Sequence, residues 1–199
     1  YEAKQVLKKY SIPLPNSLFV QNSDSAFNAA TDLSTDVVIK SQVLSGGRMK
    51  AGGIDFANSP EEVKIKSQTI LELDINGLHP VGVLIEEKKN VVQEYFAAVT
   101  YDGRAKKPVI IFSDMGGIDI EEVANSHPDH LSRTHFSAAK PFSPFTAKNA
   151  VSAVGVTGRE LNQLSGIVTN LCKLFLERDL TLAEINPIGK LEDGSIIAL

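Results

Sequence analysis

Val37-Val38-Ile39-Lys40-Ser41-Gln42-Val43-Leu44-Ser45-Gly46-Gly47-Arg48-Met49-Lys50-Ala51-Gly52-Gly53 is the stretch on which the reading of this chain turns. An apolar run of strand length delivers Lys40 to its end, and Ser45 to Gly53 then holds four glycines and two cations in nine residues. Glycine has no Cβ, so such a loop lets backbone N–H groups approach an anion while Arg48 and Lys50 add positive charge. That chemistry suits a polyphosphate; a plain flexible hairpin is the competing reading. The stretch is neither of the common phosphate fingerprints, since no Lys-Ser/Thr pair follows the glycines and Gly-x-Gly-x-x-Gly is absent. A lysine closing a buried strand must point outward or meet an anion, and both readings stand for Lys40.

Working outward, Ala3, Val6, Leu7 and Tyr10 form one helical stripe that Pro13 and Pro15 end. Leu18 to Gln21 reads as a short strand, and Ser23 as the cap of a helix with Phe27, Ala30 and Leu33 on one face. After the glycine loop come a possible strand, Ile54 to Ala57, and a helix from Ser59-Pro60-Glu61-Glu62 to about Leu73. Val81 to Glu87, Val91 to Tyr101 and Pro108 to Ser113 read as consecutive antiparallel strands, with Asp102-Gly103 as a turn. Gly116-Gly117 precedes an acidic stretch, Asp119 to Val123, read as a strand end passing into a helix. Residues 126–146 read mostly as loop. Thr157-Gly158-Arg159-Glu160 predicts a second capping box and a long helix to about Glu177. Strands Thr181 to Ile185 and Ser195 to Leu199, with a turn at Glu192-Asp193-Gly194, make a hairpin. This order predicts α+β or α/β architecture in two lobes.

Composition narrows the function classes. With 43% hydrophobic and 22% charged residues the chain has a globular makeup, which excludes disorder and collagen-like repeats. The net charge is −4 and the basic residues are scattered, which argues against a nucleic-acid or anionic-membrane partner. No apolar run approaches the roughly 20 residues of a membrane-spanning helix. The single cysteine, Cys172, has no intramolecular partner, which predicts a reducing, cytosol-like compartment. The chain opens without Met and stops inside the apolar run Ser195 to Leu199, so both ends are expected to be cuts in a longer protein.

Two further groups could carry chemistry. Glu86, Glu87 and Glu94 flank Lys88-Lys89, as a solvated turn or as carboxylates accepting from a ribose or a purine amine. In Glu184-Ile185-Asn186-Pro187, strand alternation puts Glu184 and Asn186 on one face and Ala183 and Ile185 on the apolar one. Two oxygen ligands there suit Mg²⁺ with substrate phosphates; a satisfied edge-strand pair is the alternative. The histidines lack a metal-ligand set, and no triad for nucleophilic catalysis is present.

Val38-Ile39-Lys40-Ser41-Gln42-Val43 with Gly46 to Gly53 resembles the β subunit of succinyl-CoA synthetase, an ATP-grasp family. Tyr1-Glu2-Ala3-Lys4-Gln5, Gly116-Gly117-Ile118-Asp119-Ile120-Glu121, Leu176-Glu177-Arg178-Asp179-Leu180 and Glu184-Ile185-Asn186-Pro187 continue the resemblance in register over the whole chain. It implies an α+β ATP-grasp fold: a small lobe of about residues 16–90, and a second lobe of about 1–15 plus 91–199. It also implies that Lys40 contacts the α- and β-phosphates of ATP and that Gly47, Arg48 and Met49 cover the phosphates. Glu86 and Glu94 would hold adenine or ribose, with the backbone near Lys89 assisting. Asn186 would bind Mg²⁺, and Glu184 would face the partner's phosphorylated histidine.

The implied activity is that of an ADP-forming acid-CoA ligase, with ATP/ADP as the nucleotide and GTP as the open alternative. Its partner would be an α subunit carrying the phosphohistidine and the CoA site, and its compartment the cytoplasm, or the mitochondrial matrix in a eukaryote. Citryl-CoA synthetase, malate-CoA ligase and ATP-citrate lyase chains resemble it too. Residues Lys40 to Gly53 look closer to the succinyl-CoA synthetase pattern than to the Lys-Arg-Gly-Lys loops of animal and plant citrate lyases, so succinate leads among the dicarboxylic and tricarboxylic acids.

Three departures are expected to matter. Met49 stands where the family often has glycine, which favours a second reading, a non-catalytic ATP-grasp module for nucleotide sensing or assembly. The family's second magnesium ligand, an aspartate, would fall one residue past Leu199. The family's carboxyl-terminal CoA-ligase domain has no counterpart in these residues.

Overall fold

The computed structural model describes residues 1–199. In chain order the elements are α1 (Glu2–Lys9), β1 (Ser17–Val20), α2 (Ser23–Leu33), β2 (Val37–Gln42), β3 (Ile54–Ala57), α3 (Pro60–Leu71) and β4 (Gly82–Glu87). They continue as β5 (Val91–Asp102), β6 (Lys107–Ser113), α4 (Ile120–Ser126), β7 (Leu131–His135), α5 (Pro144–Ser152), α6 (Gly158–Glu177), β8 (Leu182–Leu191) and β9 (Ile196–Ala198). The class is α+β, and every strand pair is antiparallel. Two compact units divide the chain: Tyr1 with Pro15–Lys89, and Glu2–Leu14 with Asn90–Leu199.

In the first unit the sheet order is β1-β4-β2-β3. Alternation sends Val37 and Ile39 of β2, with Val83 and Ile85 of β4, into a core shared with Ala26, Ala29 and Ala30 of α2 and Val63 and Ile70 of α3. Small alanines let α2 lie close to the sheet, and the other sheet face carries Lys40 and Glu86. Asn22, not Ser23, caps α2: its side chain accepts from Ser25 N at 2.8 Å. Ser59 caps α3 by accepting from Glu62 N at 3.3 Å, while Glu62 reaches back to Asn58 N at 3.2 Å, one residue earlier than a standard capping box.

The second unit is a five-stranded sheet, β7-β6-β5-β8-β9. Tyr95, Ala97 and Val99 of β5, Ile110 and Phe112 of β6, and Ala183, Ile185 and Ile188 of β8 share a core with Leu164, Val168, Leu171 and Phe175 of α6. Val6 and Leu7 of α1, with Tyr10 just past its end, pack onto that core.

Four further expectations are corrected. The run ending at Glu87 does not continue into the next two as one meander: β4 lies between β1 and β2, while β5 and β6 belong to the second sheet. Residues 126–146 are not mostly loop, because β7 pairs with β6 through Leu131–His135; its polar alternation, Ser132 and Thr134, hides an edge strand from a hydrophobicity reading. Asp119 does not end a strand but caps α4, accepting from Glu121 N at 3.0 Å. Thr157 makes no side-chain cap, and Glu160, the other half of the expected box, is drawn to the Tyr95 hydroxyl and the Lys190 ammonium. No helix is long and apolar enough to cross a membrane.

The contrast between the two caps is measurable. Ser59→Ala should lower stability by about 1 kcal/mol, the usual worth of a made N-cap, and Thr157→Ala by less than about 0.5 kcal/mol. Chemical denaturation of both variants checks this, and equal losses would show the assignment of caps to be wrong.

Candidate functional site

Lys40 and Glu86 lie on the same face of neighbouring antiparallel strands, with Lys40 opposite Leu84 and Glu86 opposite Val38. The diagonal brings Lys40 Nζ to 2.6 Å from Glu86 Oε1. Glu86 is 1% exposed and Lys40 17% exposed on their side chains, so the lysine meets an anion rather than pointing to bulk water. The solvated-turn reading fails for Glu86 for the same reason: an ionised carboxylate this deep needs a cation or several donors.

Lys40 leads directly into the base of the glycine loop. Ser41 N donates to Gly53 O at 2.7 Å, Gly53 N to Arg48 O at 2.7 Å, and Arg48 Nη1 to Ser41 O at 3.1 Å. A Cβ on Gly53 would sit 2.4 Å from Ser41 Oγ, so a side chain there would force Ser41 to move. Gly47 and Gly52 take positive φ, 72° and 76°, where the chain turns. The loop is a latched turn, not an unstructured hairpin. Met49 at its tip is 68% exposed. Beyond β4, Lys89 Nζ reaches Glu87 Oε2 at 2.9 Å; that hydrogen bond, with lesser donations from Asn16, holds the Glu87 carboxyl below its ordinary range against slight desolvation.

In the second unit, Glu184 and Asn186 occupy one face of β8, with Ala183 and Ile185 buried on the other, as alternation requires. The strand runs on past Pro187 to Leu191 because an irregularity opposite Tyr95 and Ala97 absorbs the proline. Asn186 Oδ1 accepts from Gly117 N at 2.9 Å, and its Nδ2 donates to Ile118 O at 3.4 Å. Glu94, on β5, lays its carboxylate against Gly117, where a Cβ would come within 2.0 Å of Oε2. Desolvation, and then the charge of Asp119, raise the Glu184 carboxyl above its ordinary range.

No group of three or more His, Cys, Asp or Glu side chains makes an all-protein metal cage. The oxygen donors of Asn186, Glu184 and Asp119 suit a hard cation that brings most of its own ligands. Thus Lys40, Gly47, Arg48, Met49, Glu86 and Lys89 belong to the first unit, and Glu94, Glu184 and Asn186 to the second.

Sequence reasoning missed the Ser41–Gly53 closure, the part played by Asp119, and a network in which Glu160 ties α6 to Tyr95 and Lys190. Desolvation and then the Glu160 hydrogen bond push the Tyr95 hydroxyl far up. Burial opposes ionisation of Glu160, yet Lys190 and Tyr95 hold its carboxyl below the usual range. The sequence pairs Glu160 only with a predicted helix start, whereas the structure pairs it with Tyr95 and Lys190.

The profile of the ATP-grasp domain family matches residues 1–190. The Methanocaldococcus jannaschii succinate–CoA ligase [ADP-forming] subunit beta is 40% identical over 198 residues, which are 100% of this chain and 54% of that protein. The Thermus thermophilus succinate–CoA ligase [GDP-forming] subunit beta is 37% identical over 100% of this chain and 52% of its own length. The chain spans about half the length of these curated relatives. A solved structure of the Ca. Korarchaeum cryptofilum dinucleotide forming acetyl-coenzyme A synthetase 1 superposes with a TM-score of 0.79 at 18% identity, covering 100% of this chain and 88% of that one. At that identity the likeness is one of fold.

The ion pair makes a prediction independent of any ligand. Lys40→Ala takes away the ammonium 2.6 Å from a buried carboxylate and should destabilise the protein by about 3 kcal/mol, whereas Lys40→Met with Glu86→Gln, which removes both charges, should recover most of it. Urea unfolding at neutral pH reads both, and a Lys40→Ala variant as stable as the parent would mean that Glu86 does not need its cation.

Proposed function

We propose, on the premise that the chain belongs to the ATP-grasp domain family, that it is the nucleotide-binding portion of an ADP-forming acid-CoA ligase, with succinate as the acid. The observation that carries this reading is the full-chain likeness, at 40% identity, to a succinate–CoA ligase beta subunit. The geometry supports it: a cation near a strand end beside a latched glycine loop, and an amide oxygen on a second sheet with the carboxylates of Glu184 and Asp119 near it, are the parts that phosphoryl transfer needs.

In this reading the first unit is the small lobe and the second unit the other lobe of the grasp. Lys40 neutralises the α- and β-phosphates, and Glu86 fixes the direction of its ammonium as well as accepting from the base or ribose. The backbone of Gly47, Arg48 and Met49 covers the phosphates, with the Arg48 guanidinium steadied by Ser41 O. Glu94 accepts from the ribose, and the main chain near Lys89 meets the purine.

Asn186 offers Mg²⁺ an oxygen, and Glu184 faces the histidine of a partner α subunit that also carries the CoA site. The donor set fits the ion, amide and carboxylate oxygens together, with desolvation and then the charge of Asp119 holding the Glu184 carboxyl above its ordinary range. Bound there, Mg²⁺ would supply charge neutralisation where negative charge develops on the transferring phosphoryl group. The protein contributes position and electrostatics more than covalent chemistry.

The test is phosphorylation of the partner's histidine by the full-length protein assembled with its α subunit. Mg-ATP and Mg-GTP are supplied in turn, followed by CoA with succinate, citrate or malate. The expected result is an Mg²⁺-dependent, acid-labile phosphohistidine and succinyl-CoA, and Asn186→Ala should lower the transfer rate at least about tenfold more than it weakens nucleotide binding. Citryl-CoA or malyl-CoA as the product would move the chain to those ligases. An assembly that binds nucleotide but never phosphorylates the histidine would make it a sensing or scaffolding module, the role that the exposed Met49 would then explain.

A further inference from the structure

We infer that the Gly116–Gly117 turn is a joint that fixes Glu94 and Asn186 to each other, so that Gly117 is a positioning residue acting through both side chains. Strand pairing alone does not set their separation. Glu94 on β5 lies opposite Gly189, and the irregular step across from Tyr95 and Ala97 leaves Asn186 outside the regular ladder. Slack of this kind has to be removed by something other than the sheet.

The turn supplies it from both sides. Gly116 N donates to Glu94 O at 3.0 Å, and Gly117 N donates to Asn186 Oδ1 at 2.9 Å. Asn186 Nδ2 closes the tie on Ile118 O at 3.4 Å. Each glycine is required for its own reason. A Cβ at Gly116 would lie 2.5 Å from Tyr95 O, and Gly117 has φ +72° with the Glu94 carboxylate in the space a Cβ would occupy.

The tie also gives a reason for an amide at position 186. Asparagine accepts with one end and donates with the other, whereas a carboxylate offers Ile118 O only lone pairs and would add a third negative charge beside Glu184 and Asp119. A side chain chosen only for its affinity for Mg²⁺ would be acidic. The functional weight of the joint rests on the proposed roles of Glu94 toward nucleotide and Asn186 toward Mg²⁺; the tie itself does not.

Two measurements on the full-length protein test it. In the first, Gly117→Ala should raise the Kd for Mg-ATP, or Mg-GTP if that is the nucleotide bound, by about tenfold. In a Glu94→Ala background the same change should raise it by a clearly smaller factor, because the clash with the carboxylate is gone while the strain at φ +72° and the tie to Asn186 remain. Equal increases in the two backgrounds would overturn the joint.

The second measurement uses no nucleotide. Hydrogen exchange at the Gly117 amide should speed by about tenfold or more in Asn186→Ala, with Asn186→Asp, which keeps the acceptor and loses the donor, falling between it and the parent. Exchange unchanged in Asn186→Ala would overturn the joint, whereas a parent protein that binds neither nucleotide while its Gly117 exchange responds would keep the joint and remove the proposed function.

Discussion

A carboxylate with 1% of its side chain exposed has to be held, and the ammonium 2.6 Å away holds it. The pairing of Lys40 with Glu86 is the constraint around which the first unit is arranged. It requires β2 and β4 to be neighbours, antiparallel and in one register, because a slip of one residue would turn either charge into the apolar core under α2 and α3. The same register starts the glycine loop from Ser41, where Gly53 and Arg48 close it. Isolated burial of either charge would be strongly unfavourable, and each group here meets the opposite charge.

The second unit meets a different constraint with the same economy of elements. Its sheet buries one face under α5, α6 and α1, and places Glu94, Glu184 and Asn186 on the other. Those side chains are polar and crowded, and they are kept apart from the core by the two-residue alternation of the strand. The Gly116–Gly117 turn then crosses this face closely enough that no side chain could be carried there.

Much of this was legible from residues. The helices of Glu2–Lys9, Pro60–Leu71 and Gly158–Glu177 follow from apolar spacing and start signals, and the two faces of Glu184–Asn186 from alternation. What stayed hidden was whatever depends on partners distant in sequence. That β4 pairs with β1 and β2 rather than with β5 is decided by packing, since all three apolar runs look alike locally. The strand at Leu131–His135 is held by backbone bonds and a Ser132 hydroxyl donated to Ala150 O at 2.6 Å, features with no hydrophobic signature. Glu160 was misread because a capping box is a local pattern, while Tyr95 and Lys190 lie 65 and 30 residues away. For the site, residue types suggested the phosphate loop and the oxygen ligands, but the assignment of each to a role came from the family resemblance. The lysine–glutamate contact came only from the register of two strands.

The division of the chain into units has a consequence for how the protein is made. The first unit is almost wholly one continuous run, Pro15–Lys89, interrupting the sequence of the second between Leu14 and Asn90. During synthesis that insert can complete its sheet as soon as it leaves the ribosome. Helix α1, translated earlier, has no surface to bury its apolar stripe until the β5 to β9 sheet exists. Its following segment is fastened only when Ala198 N donates to Pro13 O at 2.8 Å. Helix α1 thus leaves the ribosome before the sheet it packs on, and its amphipathic stripe stays exposed until β5 to β9 are made, a natural target for chaperones that recognise apolar stripes on nascent chains.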